Sequence, residues 1–236
     1  MAESGSSGGR ARDPMQDFFR DVFLVGHPEA TRLYLVRHGQ AGNNVGSMVL
    51  DDEDETVGPP LTELGFEQAR RLGRRLAAEG VDAVYSSTLL RARQTAEPLA
   101  ERLGLAVQLR EGIEEVGLDR SAWDGSDVKL RARILAALRE RPSWDAFPGA
   151  EPSEKMRARV MKAMDQVIAE NPGRRVAVFC HGGVIQSYIA AILGIQDDVF
   201  FYPFNAGISS VRALGERRTL WRLNDIAHLD QRSVVS

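Results

Sequence analysis

The sequence predicts a three-layer α/β/α domain with a mostly parallel central sheet over residues 31–236. Short apolar segments such as 33–36 and 175–180 alternate with longer segments of helical periodicity. These two segments contain neither Gly nor Pro, as expected of strands that are buried on both faces of a parallel sheet. Crossover helices bring the carboxyl ends of such strands to one edge of the sheet, which is where ligands bind.

The composition is that of an ordinary soluble globular protein. The chain has 236 residues, of which 43% are hydrophobic and 27% are charged, and a net charge of −3. This balance argues against a general nucleic-acid binder, and no apolar segment approaches the roughly 20 residues that cross a bilayer. The single cysteine, Cys180, excludes an internal disulfide and a multi-cysteine metal site. We expect a cytoplasmic protein, with which one reduced cysteine is compatible.

Residues 1–30 are predicted to lie outside the domain. Their start, up to Pro14, is rich in Gly, Ser, Arg and Ala and is expected to be a disordered tail. The segment that follows carries Phe18, Val22 and Val25 at helical spacing. This short apolar segment either packs on the domain or contacts a partner or a second subunit, so homo-oligomerisation stays open.

The first predicted strand ends in residues that suggest a chemistry. The segment 33–36 is followed directly by Arg37, His38 and Gly39. Gly39 permits a tight turn and a close approach to a ligand. Arginine offers a planar fork of donors to phosphate oxygens, and a neutral histidine can act as a nucleophile. Asn44, in the next loop, either donates its amide hydrogens to an anion or serves as a turn residue.

The next predicted elements bring a second arginine to the same edge. Thr62 is a good N-cap for a helix that should end near Gly80. A strand over 81–85 then leads through a Ser-rich turn into a helix, and Arg91 lies near the N-terminus of that helix. A cation there opposes the helix dipole unless it binds an anion, which is a hint of function.

Acidic side chains follow the third predicted strand, at 106–109. A protonated carboxyl in the loop with Glu111, Glu114 and Glu115 could donate a proton to a leaving alkoxide. We favour Glu115, with Glu114 as the alternative. An acidic run over 51–55 is expected to be a solvated loop, or else a negative rim that selects substrates with a positive group.

The last predicted strand, 175–180, delivers a second histidine. It ends in His181, and a helix is expected to begin at Val184. Backbone amides at that helix N-terminus can hold an anion. Four other elements are expected in this half of the chain. They are helices over 126–140 and 153–170, and two strands over 207–212 and 219–224 that form a closing hairpin or edge strands.

The strand ends therefore converge on one group of side chains, which consists of Arg37, His38, Arg91, Glu115 and His181. We predict a phosphoryl-transfer site. Its arginines would neutralise the phosphate, His38 would attack phosphorus, His181 would hydrogen-bond the phosphoryl oxygens, and Glu115 would protonate the leaving oxygen.

Four segments in this order resemble the histidine phosphatase superfamily, the phosphoglycerate-mutase-like group. The resemblance covers residues 31–224. Its segments are Leu35-Val36-Arg37-His38-Gly39, Pro60-Leu61-Thr62-Glu63-Leu64-Gly65 with Gln68-Ala69, Tyr85-Ser86-Ser87 through Arg91-Ala92 to Gln94-Thr95-Ala96, and Phe179-Cys180-His181-Gly182-Gly183.

The resemblance implies a phosphoglycerate-mutase-like fold and a phosphohistidine intermediate on His38. It also implies phosphate-binding roles for Arg37, Asn44, Arg91 and His181, a small phosphorylated substrate and no metal, and we expect no cofactor. Two segments depart from the family pattern: Trp123-Asp124-Gly125 comes late after Ile113-Glu114-Glu115, and Gly149-Ala150-Glu151-Pro152-Ser153 replaces Gly-Glu-Ser.

A phosphomonoester hydrolase is the leading hypothesis, and a cofactor-dependent phosphoglycerate mutase is the alternative. Mutases of this family carry a longer region with a Glu-Arg-His-Tyr-Gly segment, whereas this chain has Glu115-Val116-Gly117. A non-catalytic protein that binds a phospholigand is a third hypothesis.

Overall fold

A computed structural model describes residues 13–42, 58–119, 122 and 127–230 of the chain. The helices of this part are α1 (Pro14–Val22), α2 (Glu63–Ala77), α3 (Leu90–Leu103), α4 (Val128–Glu140), α5 (Ser153–Ala169) and α6 (Gly182–Leu193). The strands are β1 (Thr31–Arg37), β2 (Ala83–Ser86), β3 (Val107–Leu109), β4 (Arg175–Cys180), β5 (Ile208–Leu214) and β6 (Arg217–Asp225).

One mostly parallel sheet organises these elements, in the strand order β3-β2-β4-β1-β5-β6. The strands β1, β2, β3 and β4 run parallel to their neighbours among these four, and the β5–β6 hairpin adds two antiparallel strands. In the centre of the sheet, Leu35 of β1 stands beside Val178 of β4. The predicted fold class is confirmed, and so is the closing hairpin.

Each face of the sheet has its own apolar cluster, which explains why β1 and β4 are apolar without alternation. Leu33 and Leu35 point into a cluster with α5 and α6. Tyr34 and Val36 point into the opposite cluster, which includes residues of α2 and α3. Helix α4 is more peripheral, since Ile134 is its only buried residue.

The helix boundaries follow local capping chemistry. Thr62 caps α2 as predicted, with its hydroxyl accepting a hydrogen bond from the Gly65 amide at 3.1 Å. Helix α4 begins two residues later than predicted because Asp127 provides the cap. Helix α6 begins at Gly182 and not at Val184, because the chain turns into a helix directly after His181.

The N-terminal segment forms the predicted helix, and the part of its apolar stripe that lies in α1 is exposed. Phe18 is 58% exposed and Val22 is 39% exposed, and none of the residues of α1 is buried. The segment is attached to the domain two residues after the end of α1. There Leu24 is buried and its carbonyl accepts a hydrogen bond from Arg212 of β5 at 3.0 Å. Contact of α1 with a partner or a second subunit stays a hypothesis. The boundary between residues 1–30 and the domain stays a prediction.

Four features predicted from the sequence lie wholly or mostly outside the described residues: the N-terminal tail up to Pro14, Asn44, the acidic run 51–55 and the segment 123–125. Across the helices that are described, none combines the length and the apolar character that crossing a membrane requires.

Candidate active site

The two predicted histidines lie side by side at the carboxyl edge of the sheet. Strands β1 and β4 are neighbours in parallel register, so His38 and His181 leave the sheet together. The amide of His38 donates a hydrogen bond to the carbonyl of Cys180 at 3.0 Å, and the centroids of the two imidazole rings are 5.2 Å apart. Both side chains are buried.

Hydrogen bonds define the proton position on the His38 ring. Its Nδ1 lies 2.7 Å from the carbonyl oxygen of Gly39, and its Nε2 lies 3.1 Å from Nε of Arg91. A carbonyl only accepts and a guanidinium only donates, so Nδ1 carries the proton and Nε2 carries the free electron pair. The nitrogen able to act as a nucleophile therefore faces the arginine.

A side chain on α3 and another in the segment just before β5 support the turn at His38 and Gly39. The hydroxyl of Thr95 accepts a hydrogen bond from the Gly39 amide at 3.0 Å and donates one to the Arg91 carbonyl at 2.6 Å. The Asn205 amide group donates to the His38 carbonyl at 3.1 Å. The sequence assigned neither residue a role, although Thr95 lies in one of the four family segments.

Two glutamines join the family segments into one assembly. Oε1 of Gln68 on α2 accepts a hydrogen bond from the Gln40 amide at 2.7 Å. Oε1 of Gln94 on α3 accepts one from the Leu61 amide at 2.9 Å. Segments far apart in sequence thus hold the loops that flank the site.

Arg37 lies under the first turn of α6. Its Nη1 donates a hydrogen bond to the carbonyl of Pro203 at 2.6 Å, and its guanidinium carbon is 5.6 Å from the centroid of the Tyr202 ring. Its Nε is buried without a hydrogen-bond partner among the described groups. One donor of Arg37 is therefore still available to an anion.

Like Arg37, His181 has one nitrogen with a hydrogen-bond partner and one without a partner among the described groups. Its Nε2 lies 2.9 Å from the hydroxyl oxygen of Ser87 at the end of β2. Its Nδ1 is buried and has no partner within the described part of the chain. A buried polar atom without a partner is costly, and a bound ligand can supply the missing hydrogen bond.

The two candidate carboxyls have different surroundings. Oε1 of Glu115 accepts hydrogen bonds from the Gly183 amide at 3.1 Å and from the Val116 amide at 3.0 Å. Glu114 is bound within its own loop and to the turn after β2, because it accepts from the Gly112 amide at 2.8 Å and from the Thr88 hydroxyl at 3.1 Å. The geometry places Glu115 at the first turn of α6 and favours it over Glu114.

Electrostatics keep both histidines neutral. Burial lowers the pKa of His38 well below its usual 6.5, and the charges of Arg91 and Arg37 lower it further. Burial, Arg91, His38 and Arg37 likewise lower the pKa of His181. A neutral imidazole is what nucleophilic attack requires.

The lone cysteine behaves differently from these groups. Cys180 is fully buried at the end of β4, and burial raises the pKa of its thiol far above the ordinary value. It is therefore a protonated residue of the core. Over the described ranges, no group of three or more His, Cys, Asp or Glu side chains is arranged to hold a metal ion.

Known proteins of similar sequence include a phosphatase and a mutase. The chain is 29% identical to phosphoserine phosphatase 1 of Hydrogenobacter thermophilus over 207 residues, which are 85% of this chain and 95% of that protein. It is 31% identical to the 2,3-bisphosphoglycerate-dependent phosphoglycerate mutase of Methylorubrum extorquens over 172 residues, which are 69% of this chain and 79% of that protein.

A solved phosphatase structure is also similar to this chain. The mycobacterial glucosyl-3-phosphoglycerate phosphatase in complex with VO3 superposes with a TM-score of 0.68 at 28% identity, covering 82% of this chain and 98% of that one. The sequence pattern described as histidine phosphatase superfamily (branch 1) matches residues 33–226. These findings fit the phosphatase prediction, with the mutase alternative also present among the relatives. The chain belongs to the histidine phosphatase superfamily, branch 1.

Proposed function

We propose that this protein hydrolyses phosphomonoesters through a phosphohistidine intermediate on His38. The observation that carries the proposal is the pairing of a buried, neutral His38 with Arg91, whose Nε lies 3.1 Å from the unprotonated Nε2. A phosphoryl group bound beside the guanidinium would have its charge neutralised and its phosphorus next to the electron pair that attacks it.

The first step transfers the phosphoryl group to the protein. Nε2 of His38 forms a bond to phosphorus while the bond from phosphorus to the ester oxygen breaks. Protonated Glu115 gives its proton to that oxygen, so that the product leaves as an alcohol and not as an alkoxide. The Nδ1 proton of His38, held on the Gly39 carbonyl, stabilises the positive charge that the ring acquires.

The second step regenerates the enzyme. Glu115, now a carboxylate, accepts a proton from water as the water oxygen attacks phosphorus and the bond from phosphorus to Nε2 breaks. Inorganic phosphate leaves, and both His38 and Glu115 return to their starting protonation states. A single carboxyl serves as acid and then as base, which conserves protons over the cycle.

Other side chains bind the transferring group. We assign Arg37, Arg91 and His181 to the phosphoryl oxygens, because Arg37 and His181 have buried nitrogens that lack partners among the described groups. Charge stabilisation of this kind is worth about 10²–10³ in rate per donor. The phosphate-binding role of Asn44 stays a prediction.

We further propose that the substrate is a small phosphorylated compound and neither nucleic acid nor a membrane component. Relatives are named for phosphoserine and for glucosyl-3-phosphoglycerate, and both compounds belong in the first substrate panel. The cytoplasmic location also stays a prediction.

The central test replaces the nucleophile. His38→Ala should abolish phosphate release from p-nitrophenyl phosphate and from the substrate panel in metal-free buffer, because alanine cannot form the intermediate. His27→Ala is the matched control, since His27 precedes β1 at the opposite edge of the sheet. Activity that persists in His38→Ala would refute the proposed nucleophile.

The mutase alternative has its own assay because one relative is a mutase. Interconversion of 2- and 3-phosphoglycerate without release of inorganic phosphate would favour it. Release of phosphate as the main product would support the hydrolase. Binding of vanadate with no turnover of any ester would instead support a non-catalytic phospholigand-binding protein.

A further inference from the structure

We propose that Arg159, fixed by Glu151, is a positioning residue for the acid Glu115. Arg159 lies on α5 and Glu151 lies in the segment just before that helix. Neither residue was assigned a role from the sequence. The inference rests on the proposed function, because it concerns the proton that Glu115 delivers to the leaving group.

Arg159 binds the backbone of the loop that carries Glu115. Its Nη1 donates hydrogen bonds to the carbonyls of Gly112 at 3.1 Å and Glu114 at 2.9 Å. Its Nη2 donates to the carbonyl of Glu115 itself at 3.1 Å. One guanidinium therefore fixes three carbonyls within four residues of the loop.

Glu151 fixes the guanidinium in turn. Nε of Arg159 lies 2.9 Å and 3.1 Å from the two carboxylate oxygens of Glu151, and Nη2 lies 2.7 Å from one of them. Burial by itself would raise the pKa of Glu151, but the hydrogen bonds and charge of Arg159 hold that pKa below its usual value. The Glu151 side chain is only 13% exposed and that of Arg159 only 23%, so solvent screens the ion pair weakly.

The helix that carries Arg159 is itself rigidly placed. Its neighbours Met156 and Val160 are fully buried in the cluster between α5, α6 and the sheet. Residues 110–117 form no helix or strand, and Ile113 and Val116 anchor this loop in the same cluster. Arg159 adds to these apolar contacts a fixed set of hydrogen bonds to the backbone on both sides of Glu115.

Gly183 shows how little room the Glu115 carboxyl has. A Cβ added to Gly183 would collide with Oε1 of Glu115 and would lie 3.3 Å from Cζ2 of Trp144. The carboxyl is therefore confined on the side of α6, while Arg159 holds its backbone on the side of α5. A displacement of about 1 Å in such a site can cost about 10²-fold in rate.

The leaving group reveals whether this positioning matters for proton donation. p-Nitrophenolate is a weak base and leaves without a proton, whereas an alkoxide needs one. We expect Arg159→Ala to lower kcat/KM for an alkyl phosphate by about 10²-fold and for p-nitrophenyl phosphate by less than about threefold. The parameter kcat/KM covers the steps up to release of the alcohol, so the later attack of water does not contribute.

Two further variants keep the test decisive if Arg159→Ala folds poorly. Arg159→Lys retains the charge but cannot bind three carbonyls and a carboxylate at once, so it should show the same selective loss to a smaller extent. Glu151→Gln removes the charge that fixes the guanidinium and should act in the same direction. Thermal unfolding measures the stability of each variant.

Arg110→Ala is the matched control. Arg110 is the first residue of the loop, makes an ion pair of 2.6 Å with Glu170 and lies over the Tyr85 ring, but no hydrogen bond joins its side chain to Glu114 or Glu115. It should lower stability without changing the ratio of kcat/KM between alkyl and aryl esters.

The outcomes separate this proposal from the proposed function. A selective loss with alkyl esters in the Arg159 variants, matching that of Glu115→Gln, supports the positioning role. Equal losses with both ester classes, or none, would overturn it while leaving the phosphatase function intact. Absence of His38-dependent phosphate release from the wild-type protein would overturn both.

Discussion

Two buried histidines link the chemistry of the site to the stability of the folded protein. His38 and His181 must stay neutral for the proposed reaction, and burial together with nearby arginines lowers the pKa of each. In the unfolded chain the same side chains take up a proton near pH 6.5. Acid therefore favours the unfolded state, which binds protons that the folded state rejects.

The sign of this linkage gives a prediction. Above pH 6.5 neither state is protonated at these histidines, so their contribution to the free energy of unfolding is constant. Below pH 6.5 that free energy should fall by up to about 1.4 kcal/mol per pH unit for each histidine. His38→Asn should remove one histidine's share of the slope between pH 6.5 and 5.5.

Urea unfolding in phosphate-free buffer measures that slope. His27→Asn is the control for the general effect of removing a histidine. A slope that is the same in wild type and in His38→Asn would mean that His38 titrates normally in the folded protein.

Packing between elements positions the nucleophile through two glycines. A Cβ on Gly39, just after β1, would lie 2.7 Å from the carbonyl oxygen of Gly65 on α2, and a Cβ on Gly65 would collide with the carbonyl of Gln40. The strand end and the first turn of the helix therefore meet backbone to backbone. Both residues lie in segments that resemble the family.

We expect Gly65→Ala to be destabilising because the new methyl group forces β1 and α2 apart. Overpacking of this kind costs about 1–3 kcal/mol in the free energy of unfolding. Gly42→Ala is the control, since its nearest neighbour would be Cβ of Pro59 at 3.9 Å. Equal stability of the two variants in urea unfolding would contradict this account of the contact.

For the whole molecule, α1 is the element least explained by the phosphatase site. The helix and its C-cap residue Phe23 expose a group of apolar side chains, which also includes Met15, Phe18, Phe19 and Val22, and exposed apolar groups of this size often mark contact surfaces. Its described attachments to the domain run through Arg217, which donates a hydrogen bond to the carbonyl of Asp21 at 2.6 Å. A helix of nine residues is too short to be stable in water by itself.

Removal of residues 1–22 should leave kcat/KM for p-nitrophenyl phosphate unchanged within about twofold, because α1 is attached at the β5–β6 hairpin and not at the carboxyl edge. Sedimentation at several concentrations, with and without the segment, tests whether the helix joins subunits. A large loss of activity in the truncated monomer would contradict this separation of helix and site.

Local sequence was enough to predict the sheet, its closing hairpin, the Thr62 cap and the convergence of Arg37, His38 and His181. Apolar runs, glycines and helix caps act over a few residues, and parallel strands bring their ends to one edge. These signals do not depend on how distant segments pack.

The remaining features depended on contacts between distant segments. The contact of the Glu115 carboxyl with the amide of Gly183 joins residues that lie 68 positions apart in the chain. The exposure of α1 could not be predicted from its apolar stripe, because periodicity indicates a helix but not the surface that covers it. The lowered pKa values of the histidines and the role proposed for Arg159 likewise arise from burial and from long-range hydrogen bonds, which exist only after the chain has folded.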